Sequence, residues 1–148
     1  MRPRLAVLVA LACLACGGGT GPQPPAPQSP QETLTQFLVA VKANDLDRMG
    51  TLWGDERGPA QNSMKPAVLR QRLTVMRIYL DHIGYRIIEG PLPVPGKPNV
   101  ATFRIELQRP PSCLVVSPID LVHTRDGGWL VNDIHLESLG TPRAACKS

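Results

Sequence analysis

The stretch Asp120–Leu136, DLVHTRDGGWLVNDIHL, decides the reading of the fold. At its centre Arg125, Asp126, Gly127 and Gly128 form the clearest turn in the chain, because Asp-Gly supplies the positive φ angles that a two-residue hairpin requires. With Asp126 and Gly127 as the central pair, His123 faces Leu130, Ile119 faces Ile134 and Ser117 faces Leu136. These form one mostly apolar face. The other gathers Asp120, Val122, Trp129, Val131, Asp133 and His135 and is mixed. The same register sets Cys113 opposite Gly140, with Cys146 a few residues further along.

Upstream of the hairpin the two-residue period persists. Phe103, Ile105 and Leu107 alternate with Thr102, Arg104 and Glu106, and Tyr85 to Glu89 reads as a short strand before the loop GPLPVPGKP. Before Gly84 the period becomes helical. Ser29, Pro30 and Glu32 read as an N-cap, a first-turn proline and the glutamate of a capping box. Leu34, Phe37, Leu38 and Val41 then stripe a helix running to about Ala43. Asn44 and Asp45 break and restart the chain. Leu46, Met49 and Trp53 mark a short second helix, and Gly54 to Pro59 is a loop. A third helix, capped near Asn62 or Ser63, carries Leu69, Leu73, Met76, Leu80 and Ile83 on one side. Three helices followed by a four-stranded antiparallel sheet is an α+β plan.

The N-terminus is of a different kind. Arg2 and Arg4 precede an apolar run, Leu5 to Ala15, that is too short to span a bilayer as a stable helix. The run ends in LACLACGGG, which resembles a bacterial lipoprotein signal: Cys16, preceded by Leu14 and Ala15, matches the lipid-accepting cysteine, and Cys13 is the competing acceptor. That resemblance implies a diacylglycerol thioether and an N-acyl chain on Cys16. It places the protein in the cell envelope, at the outer membrane facing the periplasm. Residues 1–15 are then the signal and 16–29 a tether. The Gly, Pro and Gln content of that tether lacks the apolar surface needed to offset ordering a backbone.

The remainder, 30–140 with a tail at 141–148, has room for one small domain. Hydrophobic residues make up 43% of the 148-residue chain, enough for a core. Setting Arg2 and Arg4 aside leaves 14 basic side chains against 12 acidic, which is no nucleic-acid footprint. Once Cys13 and Cys16 are assigned to the signal and lipid, Cys113 and Cys146 remain. In an oxidising compartment they are expected to form a disulfide pinning the tail to the sheet.

The helix pair FLVAVKANDLDRMGTLW, Phe37–Trp53, and the hairpin DGGWLVNDIHL, Asp126–Leu136, resemble the nuclear transport factor two-like superfamily. Its members include ketosteroid isomerase, scytalone dehydratase and the polyketide cyclases. The resemblance covers Pro30 to Leu139. It implies a cystatin-like cone, with helices packed on a curved sheet and a pocket between them. Trp53, Tyr79, Phe103, Leu121 and His123 are the expected pocket lining.

Enzymes of that superfamily use an Asp or His base with a Tyr or Asp donor, so His123, Tyr85 and Asp81 are the candidate catalytic groups, with His82 at the same helix-to-sheet junction. A histidine on an apolar strand face is, however, most often a hydrogen-bonded core residue. Asp120, Asp133 and His135 form a carboxylate pair with an imidazole two residues on, a set able to share a cation. On a mixed face a solvated polar cluster is the ordinary explanation, and no metal is expected. Arg70 and Arg77 read as surface charges. The chain contains no phosphate loop, dinucleotide fingerprint, HExxH or GxSxG, so no cofactor is expected. The expected function is a non-catalytic module binding an apolar small ligand or an envelope protein. The alternatives are a small lyase or isomerase and a dimer built on the mixed sheet face around Val122, Trp129 and Val131.

Overall fold

A computed structural model of the chain describes residues 25–142. Cys13, Cys16, Cys146, the signal and most of the tether lie outside the described residues. Helix α1, Pro30–Ala43, begins as its sequence dictates: the Ser29 side chain accepts from the Glu32 N–H, and Pro30 occupies the first turn. It ends at Asn44, whose left-handed backbone (φ 57) lets its N–H close the last turn on Ala40 and Val41. Asp45 caps α2, Leu46–Leu52, by accepting from Arg48 N–H. A tight ladder of β1, Gly54–Asp55, and β2, Gly58–Pro59, follows, then a 3₁₀ turn at Ala60–Asn62.

Helix α3 covers Pro66–Tyr79 and starts later than the expected cap at Asn62 or Ser63 implies. Pro66 holds Lys65 in an extended conformation (φ −61, ψ 133), so no helix can run through that junction. Its inner side buries Leu73, while Ile83, expected on the same stripe, lies past the helix end and is exposed.

The main sheet has the order β3-β4-β5-β6, all antiparallel: Gly84–Val94, Lys97–Arg109, Cys113–His123 and Trp129–Ile134. The proline-rich segment expected as a loop is the outer half of a long β3–β4 hairpin, with Leu92 opposite Thr102 and Pro93 opposite Ala101. Proline is tolerated there because β3 is an edge strand and one of its sides needs no donors. Register shifts after Ile87, Glu89 and Pro93 accommodate it.

The β5–β6 hairpin also departs from expectation. Its closing bonds run from Thr124 N–H to Gly128 O (2.8 Å) and from Gly127 N–H to Thr124 O (3.0 Å), giving a three-residue loop with Gly127 at φ 92. His123 therefore faces Trp129, and Val122 faces Leu130. The slip is undone lower down. Asn132 bulges out between the pairs Leu121/Val131 and Asp120/Asp133, so Ile119 meets Ile134 as its pattern requires. The bulged residue is held from both sides, by Trp53 Nε1–H donating to its carbonyl (3.2 Å) and by its own Nδ2 donating to Gly54 O (2.9 Å). After Ile134 the chain leaves the sheet for a 3₁₀ turn, Leu136–Leu139, so the pairing of Ser117 with Leu136 does not form.

Helices and sheet close on one core containing Leu34, Phe37, Leu38, Met49, Phe103 and Leu121, each fully buried. Ahead of α1, Pro27 O accepts from Trp129 N–H (2.9 Å), and Ala26 lies where a Cβ on Gly128 would stand, 2.4 Å away. The chain is thus fastened to β6 before Pro30 is reached.

Candidate functional site

The space between helices and sheet is where the sequence places a pocket, and side chains fill it. Phe103 and Leu121 are fully buried and Trp53 nearly so, all within the core cluster. Among the described residues five polar side chains are buried, and each has a structural partner. Thr33 Oγ1 donates to carbonyls of Ser29 and Trp129, and His82 Nδ1 lies 2.8 Å from Leu80 O. Arg109 donates to Leu139 O (2.8 Å) and to Tyr79 O. Ser117 bonds Ser138, and Thr124 Oγ1 donates to Gly128 O. Among the described residues no buried side-chain nitrogen or oxygen lacks a partner.

The catalytic candidates are not brought together. His123 shares the strand face of Leu121, as the alternation requires, but it sits at the exposed tip of β5 with its ring edge-on to Trp129 at 5.1 Å. It is therefore no interior base, and the expectation of an apolar setting for it is corrected. Asp81 is exposed, and Tyr79 and Tyr85 are half-buried at the rim, with Tyr85 edge-on to His82 at 5.7 Å. The apolar centre expected on the outer face is also corrected, since Val131 points inward and is fully buried and Val122 is 4% exposed.

Asp120, Asp133 and His135 do converge, with one ligand atom from each lying within 4.8 Å of the others. The Asn132 bulge puts the two carboxylates directly opposite one another, an arrangement that repels unless positive charge lies between or beside them. His135 supplies it. Its Nε2 is 3.1 Å from Asp120 Oδ2 and its Nδ1 3.2 Å from Glu137 Oε1. Partial burial pulls the imidazole pKa down, but the bonds to Asp120 and Glu137 and the charge of Asp133 outweigh it and leave it above the ordinary histidine value. Thr102 Oγ1 donates to Asp120 Oδ1 (2.5 Å), so β4, β5 and the end of β6 are tied by one polar bracket. Glu137 was legible as His-x-Glu. Thr102 was not, because it arrives through the β4–β5 register. When protonated, His135 offsets one of these carboxylate charges; a divalent cation bound through its Nε2 would have to displace that proton.

A second feature had no signal in the sequence. Between α2 and α3 opens a cleft of about 390 Å³, walled by Leu46, Gly50, Met64, Leu69 and Leu73, with Asp47 and Arg70 at its lining. It exists because α2 is short and the 3₁₀ turn after β2 carries the chain away before α3 begins.

No family model and no curated protein sequence matches the chain. Among solved structures it is similar to one named "Putative NTF2-like transpeptidase" from Campylobacter jejuni, with a TM-score of 0.51 and 14% sequence identity over 71% of this chain and 99% of that one. At that identity the likeness establishes the architecture alone: an α+β domain with the nuclear transport factor two-like fold.

Proposed function

We propose that the chain is a lipid-anchored protein of the bacterial cell envelope, held at the outer membrane facing the periplasm, whose folded domain is a non-catalytic binding module. One observation carries the second half of this reading. The interior that superfamily enzymes leave hollow is packed with hydrocarbon, and its buried polar side chains are engaged in structural bonds. Recognition then belongs to the surface, and the α2–α3 cleft is shaped to take an apolar group with a polar end near Arg70 and Asp47.

An environment-sensitive apolar dye tests this. The dye should brighten on the folded chain, and Ala67→Trp, which fills the cleft from its exposed edge, should abolish the signal without lowering the melting temperature. Unchanged dye binding by that variant would remove the cleft from the proposal.

The first half rests on the lipoprotein-like signal. The mature native protein should begin at Cys16 with its thiol and amine acylated, read as the mass of the N-terminal peptide; acylation at Cys13 is the alternative to score. Two or more acyl chains, at about 0.8 kcal/mol per buried CH₂, make such anchoring stable. Among the described residues no helix is long and apolar enough to cross a membrane. The expected Cys113–Cys146 disulfide belongs to the same compartment assignment, and intact masses with and without reductant decide it.

A further inference from the structure

Helix α3 presents an outward face that is half-exposed among the described residues. Projected down its axis, Leu69, Leu73 and Met76 point to the core, and the opposite line consists of Ala67, Val68, Gln71, Thr74, Val75 and Ile78. No residue on that line is charged. Val68, Val75 and Ile78 are 43%, 41% and 37% exposed. Arginines flank the line on both sides, Arg70 and Arg77 along one and Arg72 along the other, with Lys65 at the N-terminal end. The helix contains no carboxylate. Among the described residues these four cations form no ion pair; the nearest acids line hollows at the helix edges, Asp47 with Arg70, Asp81 with Arg77 and Ile78, and Glu137 with Val75.

We propose that this face of α3 lies flat on an anionic phospholipid surface. The pattern fits that partner in two respects. A neutral, half-exposed apolar ridge can settle into the headgroup layer, where a charged ridge could not. The flanking arginines have long apolar stems and reach sideways to phosphates at the same depth. An acidic protein would satisfy the cations but gives no reason for Val75 and Ile78 to stand between them. The biological setting rests on the membrane-anchored reading of the N-terminus; the chemistry of the face does not.

The test uses the chain from Gly17 onward, which keeps every described residue and cannot be acylated. It is floated with vesicles of phosphatidylcholine alone or with roughly one-third phosphatidylglycerol, and only the anionic vesicles should carry it. Arg72→Gln should weaken binding about fivefold and the Arg70→Gln/Arg72→Gln pair about twenty-five-fold. Val75→Ser/Ile78→Ser should weaken it at low and high salt alike, with thermal melts confirming that each variant is folded.

Arg86→Gln/Arg104→Gln removes the same charge from the outward face of the sheet and should leave binding intact. The proposal is overturned if the unaltered chain fails to float with anionic vesicles. An equal loss in the Arg86/Arg104 control overturns it too, because the attraction would then be net charge alone. Undiminished binding of the Val75/Ile78 variant would do the same, pointing to an acidic polymer as the partner. Absence of acyl groups on the native protein would refute the anchor and leave the vesicle result standing.

Discussion

Strand β5 has two sides that share a backbone and little else. Ser117, Ile119 and Leu121 face the helices and are fully buried, whereas Leu114 and Val116 on the opposite side are 64% and 39% exposed. On the inner side, among the described residues, every buried side-chain nitrogen and oxygen is matched to a structural partner. On the outer side Asp120 is shared between Thr102 and His135 at the edge of solvent. The difference separates what holds this domain together from what remains available to other molecules, and it places the available chemistry outside.

The contrast can be broken most directly at Phe103. Truncation to Ala should remove about 3–5 kcal/mol of unfolding free energy in denaturant titrations, because a fully packed ring leaves a void that its neighbours cannot close. A loss under about 1 kcal/mol would mean that Phe103 lines an open pocket. Arg109 comes next. Arg109→Ala should cost about 2–3 kcal/mol by orphaning the Leu139 and Tyr79 carbonyls beneath the sheet.

The outer face should respond weakly. Leu114→Ala is expected within about 0.5 kcal/mol of the parent, although Leu121→Ala on the same strand costs about 2–5. The smallest effect is a pH dependence from the Asp120–His135–Glu137 bracket. Because the folded-state pKa of His135 is raised above 6.5, its contribution is complete below that unfolded value and is lost as pH rises through the folded one. Unfolding free energy should therefore fall by under about 1 kcal/mol across this window, and His135→Gln should flatten that slope. An equally steep fall in the variant would assign the dependence to another group.

Much of this architecture was legible in the sequence wherever a local rule acted alone. Ser29, Pro30 and Glu32 set the start of α1, and Asn44 and Asp45 marked its end and the next beginning, because capping depends on neighbours a few positions away. The hairpin was legible as a hairpin but not in its register. Asp126-Gly127 is compatible with two-residue and three-residue loops, and the choice depended on Asn132 bulging to meet Trp53 and Gly54, contacts across the fold.

That single slip moved Val131 inside, off the face it was expected to share with Val122, whereas His123 keeps the face of Leu121 and is exposed because it stands at the tip of β5. The proline-rich segment misled for a similar reason: proline excludes a central strand, and the order of strands in the sheet is not a local property. Of the candidate groups, Asp120, Asp133 and His135 were correctly placed on one face because the bulge restores the original pairing below it.

The bond from Trp129 to Pro27 has a practical consequence for anyone preparing this domain. It occupies a donor on the last strand of the sheet, and Ala26 lies flush against Gly128 behind it. A recombinant fragment trimmed to begin at Pro30 would uncover that strand's flank to other molecules and invite strand-to-strand assembly. Fragments beginning at or before residue 25 should stay dispersed, and shorter ones should gather into oligomers at rising concentration.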